Sequence, residues 1–140
     1  MPIVYWTLLI LLLLTGCDNG QARSEKPLIL TETASWQLSL SNADAPVETP
    51  LQLTLTTVLS DNKVPAAIEA DIVGISMYMG KIPLRFTAAT GTDDTERLYK
   101  AEFLLGACSE PNMQWQLNIN IRYNDGTVDT LSSKFTSSWH

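Results

Sequence analysis

From Met113 to Tyr123 the chain alternates apolar and polar residues without a break. Met113, Trp115, Leu117, Ile119, Ile121 and Tyr123 share one parity; Gln114, Gln116, Asn118, Asn120 and Arg122 share the other. Side chains of a strand point to opposite faces in turn, so this period puts one face in a core and the other in water. A helix of the same length would scatter the same apolar residues around its whole circumference. Asn124-Asp125-Gly126 follows, a tight-turn signature in which Gly takes positive φ at no steric cost. A partner strand is expected from Thr127 to Ser137, with Leu131 and Phe135 among its apolar residues.

Shorter segments repeat the pattern. Trp36, Leu38 and Leu40 alternate with Gln37 and Ser39, and Leu51, Leu53 and Leu55 with Gln52, Thr54 and Thr56. Asp71 to Met79 is rich in β-branched and bulky residues. Ile82, Leu84 and Phe86 alternate around Pro83 and Arg85, and Leu98 to Leu105 reads as a further strand. Loops are marked by Asn42-Ala-Asp-Ala-Pro46, Asp61-Asn-Lys63 and Gly91-Thr-Asp-Asp94. No stretch keeps a helical apolar period. The expected fold is all-β: an immunoglobulin-like β-sandwich of about seven antiparallel strands, with a small β-barrel as the alternative. The Cys–Trp–Cys pattern of antibody domains is absent, so this expectation rests on strand count and alternation. Trp36 and Trp115, in register with leucines, are expected in the core.

Ahead of these strands, Ile3 to Leu14 is an apolar run interrupted only by Thr7. As a helix it reaches roughly 18 Å, short of a hydrocarbon core of about 30 Å. It fits the apolar region of a secretory signal, although no Lys or Arg precedes it. The run ends in Leu14-Thr15-Gly16-Cys17, which resembles the lipobox of bacterial lipoproteins. That resemblance implies cleavage before Cys17, a signal peptide over 1–16, and acyl chains such as palmitate on Cys17. Two or three chains, at about 0.8 kcal/mol per buried methylene, make a stable anchor where one would not. Asp18 directly after the cysteine resembles the inner-membrane retention signal of enterobacterial lipoproteins. The implied address is the periplasmic face of the inner membrane, with the outer membrane as the alternative. Residues 17–27 then read as a lipidated tether and 28–140 as the β-sandwich domain.

Charge narrows the partners. All nine Lys and Arg and all fifteen Asp and Glu lie after Cys17, for a net charge of −6. An acidic domain with no basic stripe is a poor binder of nucleic acid and is repelled by anionic lipid. Catalytic readings fail on residue supply. The one histidine is His140, no Cys-x-x-Cys pair exists, and no glycine-rich phosphate loop is present. Asp93, Asp94 and Glu96 lack the ligand spacing of a calcium loop and read as a solvated acidic loop. The chain is expected not to be an enzyme.

What remains is sulfur. Met77-Tyr78-Met79 sets two thioethers two residues apart, on one face if this segment is a strand. Cys108-Ser-Glu-Pro-Asn-Met113 opens on a thiol and ends on a third thioether. With Cys17 taken by lipid, Cys108 has no internal disulfide partner; it is a buried thiol, an intermolecular partner or a metal ligand. Thiolate and thioether donors select Cu(I). Met77, Met79, Cys108 and Met113 are therefore the expected metal ligands if they converge. Core packing is the competing reading of the methionines, and Met113 shares its parity with Trp115 and Leu117. The sulfur-bearing loops on a small β domain are similar to those of the YtkA-like and FixH-like periplasmic sandwiches. The similarity implies copper handling, or delivery toward the assembly of a respiratory oxidase. The alternative is a metal-free module that binds another protein of the cell envelope.

Overall fold

The computed structural model describes residues 26–58, 63–90 and 96–139. The signal peptide over 1–16, Cys17, most of the tether, Gly91 to Asp94 and His140 lie outside the described residues. Nine strands follow in order: β1 (Leu28–Glu32), β2 (Trp36–Leu40), β3 (Leu51–Val58), β4 (Pro65–Gly74), β5 (Lys81–Leu84), β6 (Thr87–Ala89), β7 (Glu96–Phe103), β8 (Gln114–Tyr123) and β9 (Val128–Thr136).

They form two antiparallel sheets, β1-β2-β3-β7-β6 and β5-β4-β8-β9. The order β2-β3-β7-β6 facing β5-β4-β8-β9 is the immunoglobulin Greek key. The first set takes the places of strands A, B, E and D, the second those of C, F and G, with β5 as an added strand beside C. β1 is a further edge strand, folded back on β2. Neither sheet closes on itself, so the molecule is a sandwich and not a barrel. Among the described residues nine strands stand where about seven were expected. β1 and β6 are the two strands not expected from the sequence, and the expected strand over Ile82 to Phe86 ends at Leu84. After Arg85 and Phe86 the chain crosses to the other sheet and pairs as β6 with β7.

β8 has the faces its sequence dictates. All six residues from Met113 to Tyr123 of the apolar parity are buried. They meet Leu38, Leu40, Leu51, Leu53 and Leu55 from the opposite sheet, with Ile72 and Ala101. The outer face of the β8 sheet is a ladder of polar cross-strand pairs. Asn118 Nδ2 donates to Asp71 Oδ1 (3.3 Å), Thr130 Oγ1 to Asn120 Oδ1 (3.1 Å), and Arg122 pairs with Glu69 (3.0 Å). The β8–β9 turn closes as its sequence requires. Gly126 sits at φ +83°, and Asp125 Oδ1 accepts from the N–H (2.9 Å) and hydroxyl (2.6 Å) of Thr127.

β9 is less plain. Its inward positions include Asp129, Ser133 and Ser137 among Leu131 and Phe135. Ser133 Oγ donates to the Leu30 carbonyl of β1 (2.9 Å), tying the two sheets along one flank. No buried side-chain nitrogen or oxygen among the described residues lacks a hydrogen-bond partner.

Candidate functional site

Antiparallel alternation sorts the loops into two groups. The β2–β3 loop, the β4–β5 turn, the β7–β8 loop and the segment after β9 gather at one end. All four expected sulfur ligands are on that end.

β4 stops at Gly74, paired with Trp115. A methyl group at Gly74 would collide with Cε of Met113 and with the carbonyl oxygen of Met77. Only a glycine lets the turn fold back so tightly while Met113 reaches beneath it. The turn is pinned to the start of β8: Ile75 N–H donates to Gln114 O (2.8 Å), and Gln114 N–H to Ser76 Oγ (3.0 Å). Gly80, at φ +81°, then returns the chain into β5. Met77 and Met79 therefore lie on a turn, not on a strand face. Ile75 and Met77 have strand-like composition, but no partner strand extends past Gly74 to pair with them.

Met113 is 1% exposed. Its carbonyl accepts from Ser137 N–H (2.9 Å), and Ser137 Oγ accepts from Trp115 Nε1 (3.0 Å), which fixes the start of β8. Cys108, half-buried, approaches from the β7–β8 loop. Its Sγ lies 3.4 Å from Met113 Sδ and 3.4 Å from the Glu110 carbonyl oxygen, so the thiol has two acceptors. Met79 leans on the same loop, with Cε 3.8 Å from where a Cβ of Gly106 would stand. Met77 enters through its backbone against Gly74. Cys108 and Met113 are thus in direct sulfur contact, Met79 packs on the loop that carries Cys108, and Met77 shares the turn above Met113. Met77 and Met79 are 38% and 37% exposed, and Tyr78 between them 83%.

Two further features mark this end. Among the described residues, the non-glycine positions with positive φ are Ala45 (41°) and Glu48 (56°), both in the β2–β3 loop. Such backbone persists only where its surroundings hold it. The Glu48 N–H donates to Leu105 O (2.8 Å), which joins that loop to the one bearing Cys108. Among the described residues no three His, Cys, Asp or Glu side chains cluster to hold a metal. The two donors in direct contact here are soft ones, the thiol of Cys108 and the thioether of Met113.

The opposite end carries a cluster not foreseen from the sequence. Trp36 Nε1 donates to Tyr123 OH (3.1 Å) and Asp129 Oδ2 (3.2 Å), and Tyr123 OH donates to Asp129 Oδ2 (2.7 Å). Burial, and then the bond to Asp129, push the Tyr123 hydroxyl up to about 12. Asp129 shares the inward parity of Leu131 and Phe135, but the parity alone does not tell which partners it meets. The three groups satisfy one another, so the cluster reads as a polar bolt between the sheets.

No family model matches the chain, and no curated protein matches it. Among solved structures, a DUF4426 family protein from Pseudomonas aeruginosa is similar at a TM-score of 0.51 and 10% identity. The match covers 78% of this chain and 93% of that one. At that identity the likeness concerns the fold alone.

Proposed function

We propose that this chain is a lipid-anchored envelope protein that holds Cu(I) at the loop end of its sandwich. Cys108 and Met113 supply the inner pair of donors, and Met79 and Met77 close over them from the β4–β5 turn. The observation that carries the reading is the 3.4 Å between Cys108 Sγ and Met113 Sδ. Two sulfurs about 2.3 Å from one metal, at open angles, stand about 3.7–4.0 Å apart. The pair needs to part only slightly to admit an ion. Thiolate and thioether donors without imidazole or carboxylate suit Cu(I) over harder ions. Cys108 loses its proton on binding, so affinity rises with pH. Met113 contributes from the core, while the partly exposed methionines of the turn can swing to admit or release the ion.

In this reading Cys17 carries the acyl chains and the domain works at the periplasmic face of the inner membrane. It is a carrier and not an enzyme, and its partner is a protein that receives copper, such as a respiratory oxidase under assembly. The exposed turn of Met77, Tyr78 and Met79 also suits the alternative, a metal-free interaction module.

Anaerobic Cu(I) titration of the detergent-solubilised mature chain against a competing chelator separates the two. One ion per chain is expected. Cys108→Ser and the volume-conserving Met113→Leu should each weaken binding by at least about tenfold, or about 1.4 kcal/mol. Equal affinity in all three chains would overturn the copper reading and favour the module. Palmitate labelling of wild type but not of Cys17→Ser tests the anchor.

A further inference from the structure

We infer that the sulfur-bearing end is also a lipid-contacting face, on which Ile75, Met77, Tyr78, Met79, Leu104 and Trp139 dip into the bilayer interface. The inference rests on the anchor proposed above, and not on copper.

The first argument is where the chain enters the fold. β1 runs from this end toward the other, because Leu28 pairs with Leu40, the last residue of β2. Just ahead of it, the Lys26 carbonyl accepts from the Ala43 N–H of the β2–β3 loop (2.9 Å). The tether therefore leaves from the sulfur end. From Cys17 to Lys26 is nine residues, at most about 30 Å when fully extended. Cys17 and the bilayer that holds it therefore lie within about 30 Å of this end.

The second argument is what the end presents. Among the described residues, six of the nine exposed large hydrophobic side chains are here, from three separate segments. Val64 and Val128 are at the far end and Ile29 lies on β1. Tyr78 and Trp139, the latter 47% exposed, are the ring types that favour the membrane–water interface. Exposed apolar residues contributed by three separate loop tips suit a fluid apolar phase. Asp44, Glu48 and Glu110 outnumber Lys26 and Lys81 on the same end, so the contact is apolar, made with zwitterionic rather than anionic headgroups.

The test reconstitutes the mature full-length chain, with its acylation checked by intact mass, in phosphatidylcholine vesicles with brominated acyl chains. Trp36 and Trp115 are shielded in the core, so Trp139 reports the tip. Its emission should be quenched and blue-shifted. In a Trp139→Phe background, Tyr78→Trp should be quenched and Val128→Trp, at the far end, should not. An acylated chain with all three positions unquenched, or with position 128 quenched as much as 78, would overturn the inference alone and leave the tip to a protein partner. An unacylated chain would sink the anchor and this inference together.

Discussion

The two ends of this sandwich solve the problem of terminating strands in opposite ways. At one end Trp36, Tyr123 and Asp129 lock into short directional hydrogen bonds that leave each buried polar group satisfied. At the other, sulfur meets sulfur at 3.4 Å, two non-glycine residues hold positive φ, and large apolar side chains face water. In the first arrangement the polar groups satisfy one another within the fold. The second tolerates weak contacts, strain and exposure, which a fold retains where something other than stability is served. The contrast teaches where in an otherwise regular sandwich to look for function.

Substitutions can break this contrast or sharpen it. The largest effect is expected at Gly74, where a new methyl meets the Met77 backbone as well as the Met113 side chain. Gly74→Ala should cost about 3 kcal/mol in denaturant unfolding. Gly106→Ala, whose new atom meets only Met79 at ordinary contact distance, should stay within about 0.5 kcal/mol. Equal losses at both would show that the turn is not held by close packing. At the hydrogen-bonded end, Tyr123→Phe removes one donor and one acceptor and should cost about 1–2 kcal/mol.

The same tyrosine sets a pH dependence. Folded Tyr123 keeps its proton up to about 12, while the unfolded chain releases it from 10.0. The native state binds the extra proton between those values, so stability should fall as pH rises through that window. Melting temperatures measured across it should decline less steeply in Tyr123→Phe; parallel curves would remove Tyr123 as the cause. A small effect is also expected at Cys108. In the copper-free protein Cys108→Ser exchanges a weak S–H donor at a half-buried site for a smaller, stronger hydroxyl donor and should shift stability by less than about 1 kcal/mol. A large loss there would recast the thiol as structural.

Legibility in the sequence followed the physics of each strand. β8 and β3 face water on one side and core on the other, so alternation announced them. β4 was seen only in its second half. Its start, Pro65-Ala-Ala-Ile-Glu-Ala, has the composition of a helix and becomes a strand because β8 pairs along it, with a register shift between Pro65 and Ala67. β1 opens on Leu28-Ile-Leu, with no alternation to read, and β6 has three residues. At the candidate site, the sulfur-bearing segments were legible from residue type. The turn beneath Met77 was not, because nothing local tells that pairing ends at Gly74. The Trp36–Tyr123–Asp129 cluster joins residues up to 93 positions apart, and its inward aspartate looks like any polar strand residue until the opposite sheet is in place.

The sheet edges carry one more consequence. On one flank Ser133 stitches β9 to β1; on the other, β5 passes into β6 with only Arg85 and Phe86 between. Pro83 deprives β5 of one backbone donor, and β6 is too short to template a neighbour. Copies crowded side by side would find few free rungs on which to grow into fibrils.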